Sequence, residues 1–138
     1  MRYLAIDLGD KRTGLAVGDD ETRIATPLDV LELPLQPGNR LIEAIVAAID
    51  EQGAGALVIG LPFNMDGTEG PRAKLVRDFA AQLVDRVSQA IHFEDERLTS
   101  ADADWSMAQT GMTRGQKKNR RDAIAAAGIL RTFLSRVD

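Results

Sequence analysis

The chain has 138 residues, 44% hydrophobic and 28% charged, with a formal net charge of −4. Those proportions suit one globular domain over 1–138 and exclude disordered, coiled-coil and collagen-like classes. With no Cys and a single His (His92), disulfides, a thiolate metal site, a Cys nucleophile and a multi-His zinc centre are excluded too.

The opening MRYLAIDLGD is a short apolar run broken by Asp7. It is neither a signal peptide nor a membrane span, so a cytoplasmic protein is expected. Tyr3–Leu8 reads as a buried strand, Gly9–Arg12 as a turn and Thr13–Gly18 as a second strand. Ile24–Leu33 follows as a third strand, loosened by Pro27, and completes an antiparallel meander. Then the period changes. Leu41, Ile42, Ile45, Val46 and Ile49 recur at helical spacing, and Gly53 is a stop signal. Ala56–Gly60 is a short apolar strand, and Leu61–Gly70 is a loop rich in Pro, Asn and Gly. Pro71 suits the first turn of a helix whose stripe is Val76, Phe79, Leu83 and Val87. Ile91–Asp95 reads as a fifth strand. Ser100–Thr110 is expected as a short capped helix containing Trp105 and Met107. Gly111–Asn119 is expected as a flexible basic loop, and Arg120–Arg136 as the closing helix. Strands that alternate with helices after an antiparallel start imply an α/β fold, a mixed sheet covered on both faces.

Charge is unevenly distributed. The stretch Arg97–Arg136 carries eight basic and three acidic residues, so the remainder is strongly acidic. A basic segment on an acidic body suggests a polyanion partner, although a solvated helix face has the same composition.

Three acidic positions stand out. Asp7 lies in a strand otherwise apolar on both faces, where an ionised carboxylate is costly unless paired, hydrogen-bonded or metal-bound. An Asp can also cap the turn that follows it. Asp122 leads a helical stripe with Ala126, Ile129 and Phe133, beside Ala123, Ala125, Ala127 and Gly128, which are small enough to let that end lie close to the sheet. Taken alone, an ordinary first-turn Asp is the favoured reading. Glu94, Asp95 and Glu96 cluster at a strand end, where ligands of open α/β sheets bind. Parity puts Glu94 and Glu96 on one face without choosing between them. Three carboxylates from distant segments suit hard cations such as Mg²⁺ or Mn²⁺, which drive phosphodiester hydrolysis. Lys11 and Arg12 at the turn after Asp7, and the loop with Asn64 before a helix N-terminus, fit a phosphate-bearing substrate.

The segments Ala5-Ile6-Asp7-Leu8-Gly9, Gly14–Gly18, Gly60-Leu61-Pro62, Asn64–Thr68, Asp95–Ser100 and Arg121–Ala126 resemble, in order and over essentially the whole chain, the YqgF/RuvX family of RNase H-like proteins. The resemblance implies a ribonuclease H-like fold, a five-stranded mixed sheet with helices on both faces. Proteins of that family are described as nucleases for the 5′ end of pre-16S rRNA or as Holliday junction resolvases. By position, the family's acidic triad falls on Asp7, Glu96 and Asp122, as catalytic and metal-holding residues. Classical resolvases carry a carboxylate where this chain has Gly60-Leu61-Pro62.

The leading expectation is a nuclease using Mg²⁺ or Mn²⁺, with phosphates gripped by Lys11, Arg12, Asn64, Arg97, Arg114, Lys117, Lys118, Arg120 and Arg121. Structured RNA, with pre-16S rRNA and ribosomal particles in view, ranks before branched DNA. A monomer or homodimer without membrane attachment is expected. A binding module that assists ribosome assembly without cutting would keep the basic segment but be indifferent to Asp7→Asn. Asp7-x-Gly9 also opens the phosphate loop of actin-like sugar kinases, but those need two such domains around a nucleotide.

Overall fold

Alternation along the first strand sets the layers. The computed structural model describes residues 1–96 and 114–137, with side chains of the latter segment from 121 onward. Strand β1 (Arg2–Leu8) sends Leu4, Ile6 and Leu8 into one apolar cluster and Tyr3 and Ala5 into another. Each cluster lies on one face of the sheet, because successive side chains of a strand point to opposite sides. Asp7 shares the face of Tyr3 and Ala5.

Strands β2 (Thr13–Asp19) and β3 (Ala25–Leu31) pair antiparallel in a meander with β1. Helix α1 (Asn39–Gln52) leads to β4 (Ala56–Leu61), helix α2 (Pro71–Val84) to β5 (Ala90–Asp95), and α3 (Arg114–Leu134) closes the chain. Sheet order is β3-β2-β1-β4-β5, with β1, β4 and β5 parallel. This is the five-stranded mixed sheet of the ribonuclease H-like fold. Helices α1 and α2 cover one face, through Leu41, Ile45, Ile49, Val76, Phe79 and Leu83 against Leu4, Ile6, Leu15, Leu57 and Ile59. Fully burying each such side chain contributes about 1.5–3 kcal/mol. Helix α3 covers the other, through Ala126, Ala127, Ile129, Leu130 and Leu134.

Local signals act as the sequence suggests. Gly53 ends α1 in the left-handed region at φ 63°, and its N–H donates to the Ile49 carbonyl. Pro71 opens α2. Val87 lies beyond that helix but still packs against the core. Pro27 sits where the β2–β3 register shifts, on the edge strand, the place a sheet tolerates a missing donor.

One element differs. The basic stretch expected as a loop up to Asn119 is helical from Arg114, so α3 starts earlier than Arg120 and ends at Leu134, with Arg136 in the turn beyond. Gln116, Lys117, Lys118, Arg120 and Arg121 are strong helix formers, and together they outweigh the roughly 1 kcal/mol that Gly115 costs. The expected helix Ser100–Thr110, with Trp105 and Met107, lies outside the described residues, as does Arg97. Among the described residues no helix is long and apolar enough to cross a membrane.

Candidate active site

Glycines decide what can gather around Asp7. Across the β1–β2 pair, Asp7 stands opposite Gly14. A Cβ on Gly14 would lie 1.9 Å from the carbonyl oxygen of Asp122, so α3 crosses β2 in backbone contact there. That crossing brings Asp122 to the level of Asp7. The small residues Ala5, Ala16, Ala126 and Ala127 beside it allow the close approach.

On the other side of β1, Gly60 stands one residue beyond the Ile6–Ile59 pair. A Cβ on Gly60 would lie 2.5 Å from Glu96 Oε2 and 2.5 Å from Ile129 Cδ1. The Glu96 carboxylate therefore lies over the bare backbone of β4. Its own N–H donates to the Leu61 carbonyl at 3.4 Å, carrying the β4–β5 pairing just past Asp95. A carboxylate missing from the end of β4 is thus supplied from the end of β5.

Asp7 and Glu96 share a hydrogen bond, which two carboxyls can make only when one of them holds a proton. Burial first, then the charges of Glu96 and Asp122, push the Asp7 carboxyl up to about 7. Burial also raises Glu96, opposed by the Arg72 guanidinium and the Asp7 hydrogen bond and reinforced by Asp95. Like charges cannot all ionise in so small a space without a cation. The third acid stands slightly apart. Asp122 Oδ2 lies 3.6 Å from Arg12 Nε, and among the described residues no three acids close into a ready cation cage.

The two glutamates that parity left equivalent separate. Glu94 is only 2% exposed and ion-paired with Arg136, beyond the end of α3. Glu96 faces Asp7. His92 packs edge-on to Tyr3 and tilted against Phe133, away from the cluster.

The loop with Asn64 is closed on itself. The Asn64 amide donates to Thr68 Oγ1 at 3.0 Å, and Thr68 N–H and Oγ1 donate to Asp66 Oδ1 at 3.0 and 2.6 Å. Phe63 and Glu69 form a bridge across its base, and Arg77 binds Glu69 twice while lying 4.9 Å over the Phe93 ring. Asn64 thus shapes the loop. Lys11 is exposed at the tip of the β1–β2 turn and Arg121 is exposed beside Asp122. Arg114, Lys117, Lys118 and Arg120 occupy the first two turns of α3, ahead of Asp122.

One residue at the cluster escaped sequence reasoning. Arg72, in the first turn of α2, donates to the Leu8 carbonyl at 3.0 Å and to Asp10 Oδ1 at 2.5 Å. Its charge lowers both Asp7 and Glu96. The signal available was its position: a cation next to a helix N-terminus opposes the helix dipole and calls for another partner.

A ribonuclease H-like sheet that gathers carboxylates from the C-terminal ends of β1 and the edge strand β5 has the layout of a nuclease of that superfamily. The chain belongs to the RuvX family, whose model, described as "RuvX: Holliday junction resolvase", matches residues 1–136. A relative from Anaeromyxobacter sp. (strain Fw109-5), named "Putative pre-16S rRNA nuclease", is 39% identical over 134 residues, 97% of this chain and 96% of that protein. The fold is similar to that of T. thermophilus RuvC in complex with a Holliday junction substrate, at TM-score 0.60 and 12% identity over 97% of this chain and 94% of that one. It is also similar to fowlpox virus resolvase with Holliday junction DNA, at TM-score 0.61 and 8% identity over 98% of this chain and 97% of that one.

Proposed function

We propose that this chain is a divalent-metal-dependent nuclease that processes the 5′ end of pre-16S rRNA in the cytoplasm, with Asp7, Glu96 and Asp122 as its catalytic carboxylates. The observation that carries this reading is the proton-sharing Asp7–Glu96 pair over Gly60, with α3 delivering Asp122 to the same level. The donors are hard oxygens, with no Cys in the chain and its single His engaged elsewhere, so they fit Mg²⁺ or Mn²⁺. Asp7 and Glu96 would hold the cation, with Asp122 completing the set. Bound there, the cation supplies Lewis acidity at the phosphate and a nucleophile from water at neutral pH.

The chain's own groups do the rest. Asp7, whose carboxyl is pushed up to about 7 by burial and the neighbouring acids, would hold the cation in its ionised form. Arg12 faces Asp122 and is placed to exchange that contact for a substrate phosphate. Lys11, Arg97, Arg121 and the basic start of α3, with Arg114, Lys117, Lys118 and Arg120, supply further phosphate contacts. Asn64 acts through the loop it closes.

A second reading, cleavage of branched DNA, is favoured by the description of the family model. The test is metal-dependent cleavage of an rRNA precursor and a four-way junction side by side, with Asp7→Asn as control. Cleavage of the precursor alone, abolished by Asp7→Asn, is the expected result. Preference for the junction would move the substrate to DNA. Binding without cleavage of either would make the chain an assembly module.

A further inference from the structure

The geometry points to Arg72 as a catalytic residue whose guanidinium contacts the phosphate being cleaved, held in place by the Leu8 carbonyl and Asp10. The inference rests on the nuclease reading above and adds a residue to it.

Arg72 follows Pro71 in the first turn of α2, where the helix dipole is positive. A cation there gains nothing from its own helix. It reaches back instead to the C-terminal end of β1, one residue past Asp7. The Asp10 carboxylate from the β1–β2 turn holds it from the other side, at 2.5 Å. The two anchors come from the turn that carries Asp7 out of the sheet, so the guanidinium is fixed relative to that carboxylate. A guanidinium has more N–H donors than these two bonds use, and its side chain remains part-exposed.

The alternative role is a resident counter-cation that only offsets the acids. Solvent-facing Lys11 and Arg12, on the same turn, already supply positive charge there, Arg12 through a 3.6 Å contact with Asp122. Bracing by a main-chain carbonyl and a carboxylate fixes direction as well as charge. That is what a donor aimed at a developing oxyanion requires, and removal of one such donor costs about 10²–10³ in rate. A planar fork also matches phosphate oxygens in a way an ammonium does not.

The experiment compares Arg72→Gln, Arg72→Lys and Asp7→Asn with wild type. Cleavage of the rRNA precursor and the four-way junction is measured at saturating Mn²⁺, with kcat and KM separated, and Mn²⁺ binding is followed independently by thermal unfolding. Arg72→Gln is expected to lower kcat about 100-fold, with KM changed far less and a Mn²⁺-induced rise in Tm at least as large as in wild type, since a repelling cation has gone. Arg72→Lys keeps the charge and a bond to Leu8, so it should fold normally yet stay about tenfold impaired. An unchanged kcat in Arg72→Gln, full activity in Arg72→Lys, or loss of the Mn²⁺-induced rise in Tm in Arg72→Gln each overturns the proposal while leaving the nuclease reading intact. Persistent cleavage by Asp7→Asn overturns both.

Discussion

Gly60 and Glu96 occupy one another's space: a side chain on the first would displace the carboxylate of the second, since its Cβ would fall 2.5 Å from Oε2. The atoms in the way, Glu96 Oε2 and Ile129 Cδ1, are the ends of flexible side chains. Gly60→Ala should therefore cost at most about 1–2 kcal/mol but suppress cleavage as Glu96→Gln does. At Gly14 the obstacle is the backbone of α3, at 1.9 Å. Gly14→Ala should lift the helix and destabilise the protein by about 3 kcal/mol or more. Urea unfolding with parallel cleavage assays separates the two, and equal stability losses would contradict this account of the crossing.

Glu94 and Glu96 should behave as different kinds of residue. Glu94→Gln removes a buried charge and leaves only an exposed Arg136, so a loss of about 1 kcal/mol is expected, with cleavage retained. Arg136→Ala leaves Glu94 buried and unpaired, which should cost about 3 kcal/mol. Glu96→Gln should abolish cleavage while substrate still binds. Chemical denaturation and single-turnover assays check all three. Equal loss of cleavage in Glu94→Gln and Glu96→Gln would sink the assignment.

The Asp7 carboxyl gives the pH dependence a definite sign. Its folded value of about 7 lies above the ordinary 3.8, so the folded state holds the proton more tightly than the unfolded state. The stability this contributes is complete below about 3.8 and is lost as pH rises through about 7. Asp7→Asn carries no such proton. Without metal, the stability of Asp7→Asn relative to wild type should climb between pH 4 and 7, by at most about 1.4 kcal/mol per pH unit, and then level off. Stability curves of both proteins across that range test it; a flat difference would mean Asp7 ionises normally.

The basic start of α3 should act on affinity rather than rate. Changing Lys117, Lys118 and Arg121 to Ala should weaken binding to all sequences alike, each lost phosphate contact flattening the salt dependence by about 0.7–0.9 in slope. Filter binding across a salt series decides, and an unchanged slope would leave these residues merely solvated.

Much of the fold was legible because its signals are local. Strand alternation, the stop at Gly53 and the start at Pro71 each follow from neighbouring residues. Asp7 stood out because burial makes a carboxylate costly whatever surrounds it. Choosing Glu96 over Glu94 needed either the family resemblance or the structure, since parity depends only on spacing along one strand. The start of α3 was misread because one Gly among basic residues looks like a loop until the helix propensity of its neighbours is summed. Arg72 carried only a weak local signal, a cation at a helix N-terminus, because its partners, Leu8 and Asp10, lie far from it in sequence.

The central claim is that the carboxylates around Asp7 form a cation site. Thermal unfolding of wild type and Asp7→Asn, each with and without Mn²⁺, tests it most directly. Without metal, Asp7→Asn should be at least as stable as wild type, because one of the mutually repelling acids is gone. With Mn²⁺ at about 100 times its dissociation constant, wild type should gain roughly 2.7 kcal/mol and Asp7→Asn should lose most of that gain. A destabilised Asp7→Asn that responds to Mn²⁺ as wild type does would make Asp7 a structural residue and contradict the nuclease site.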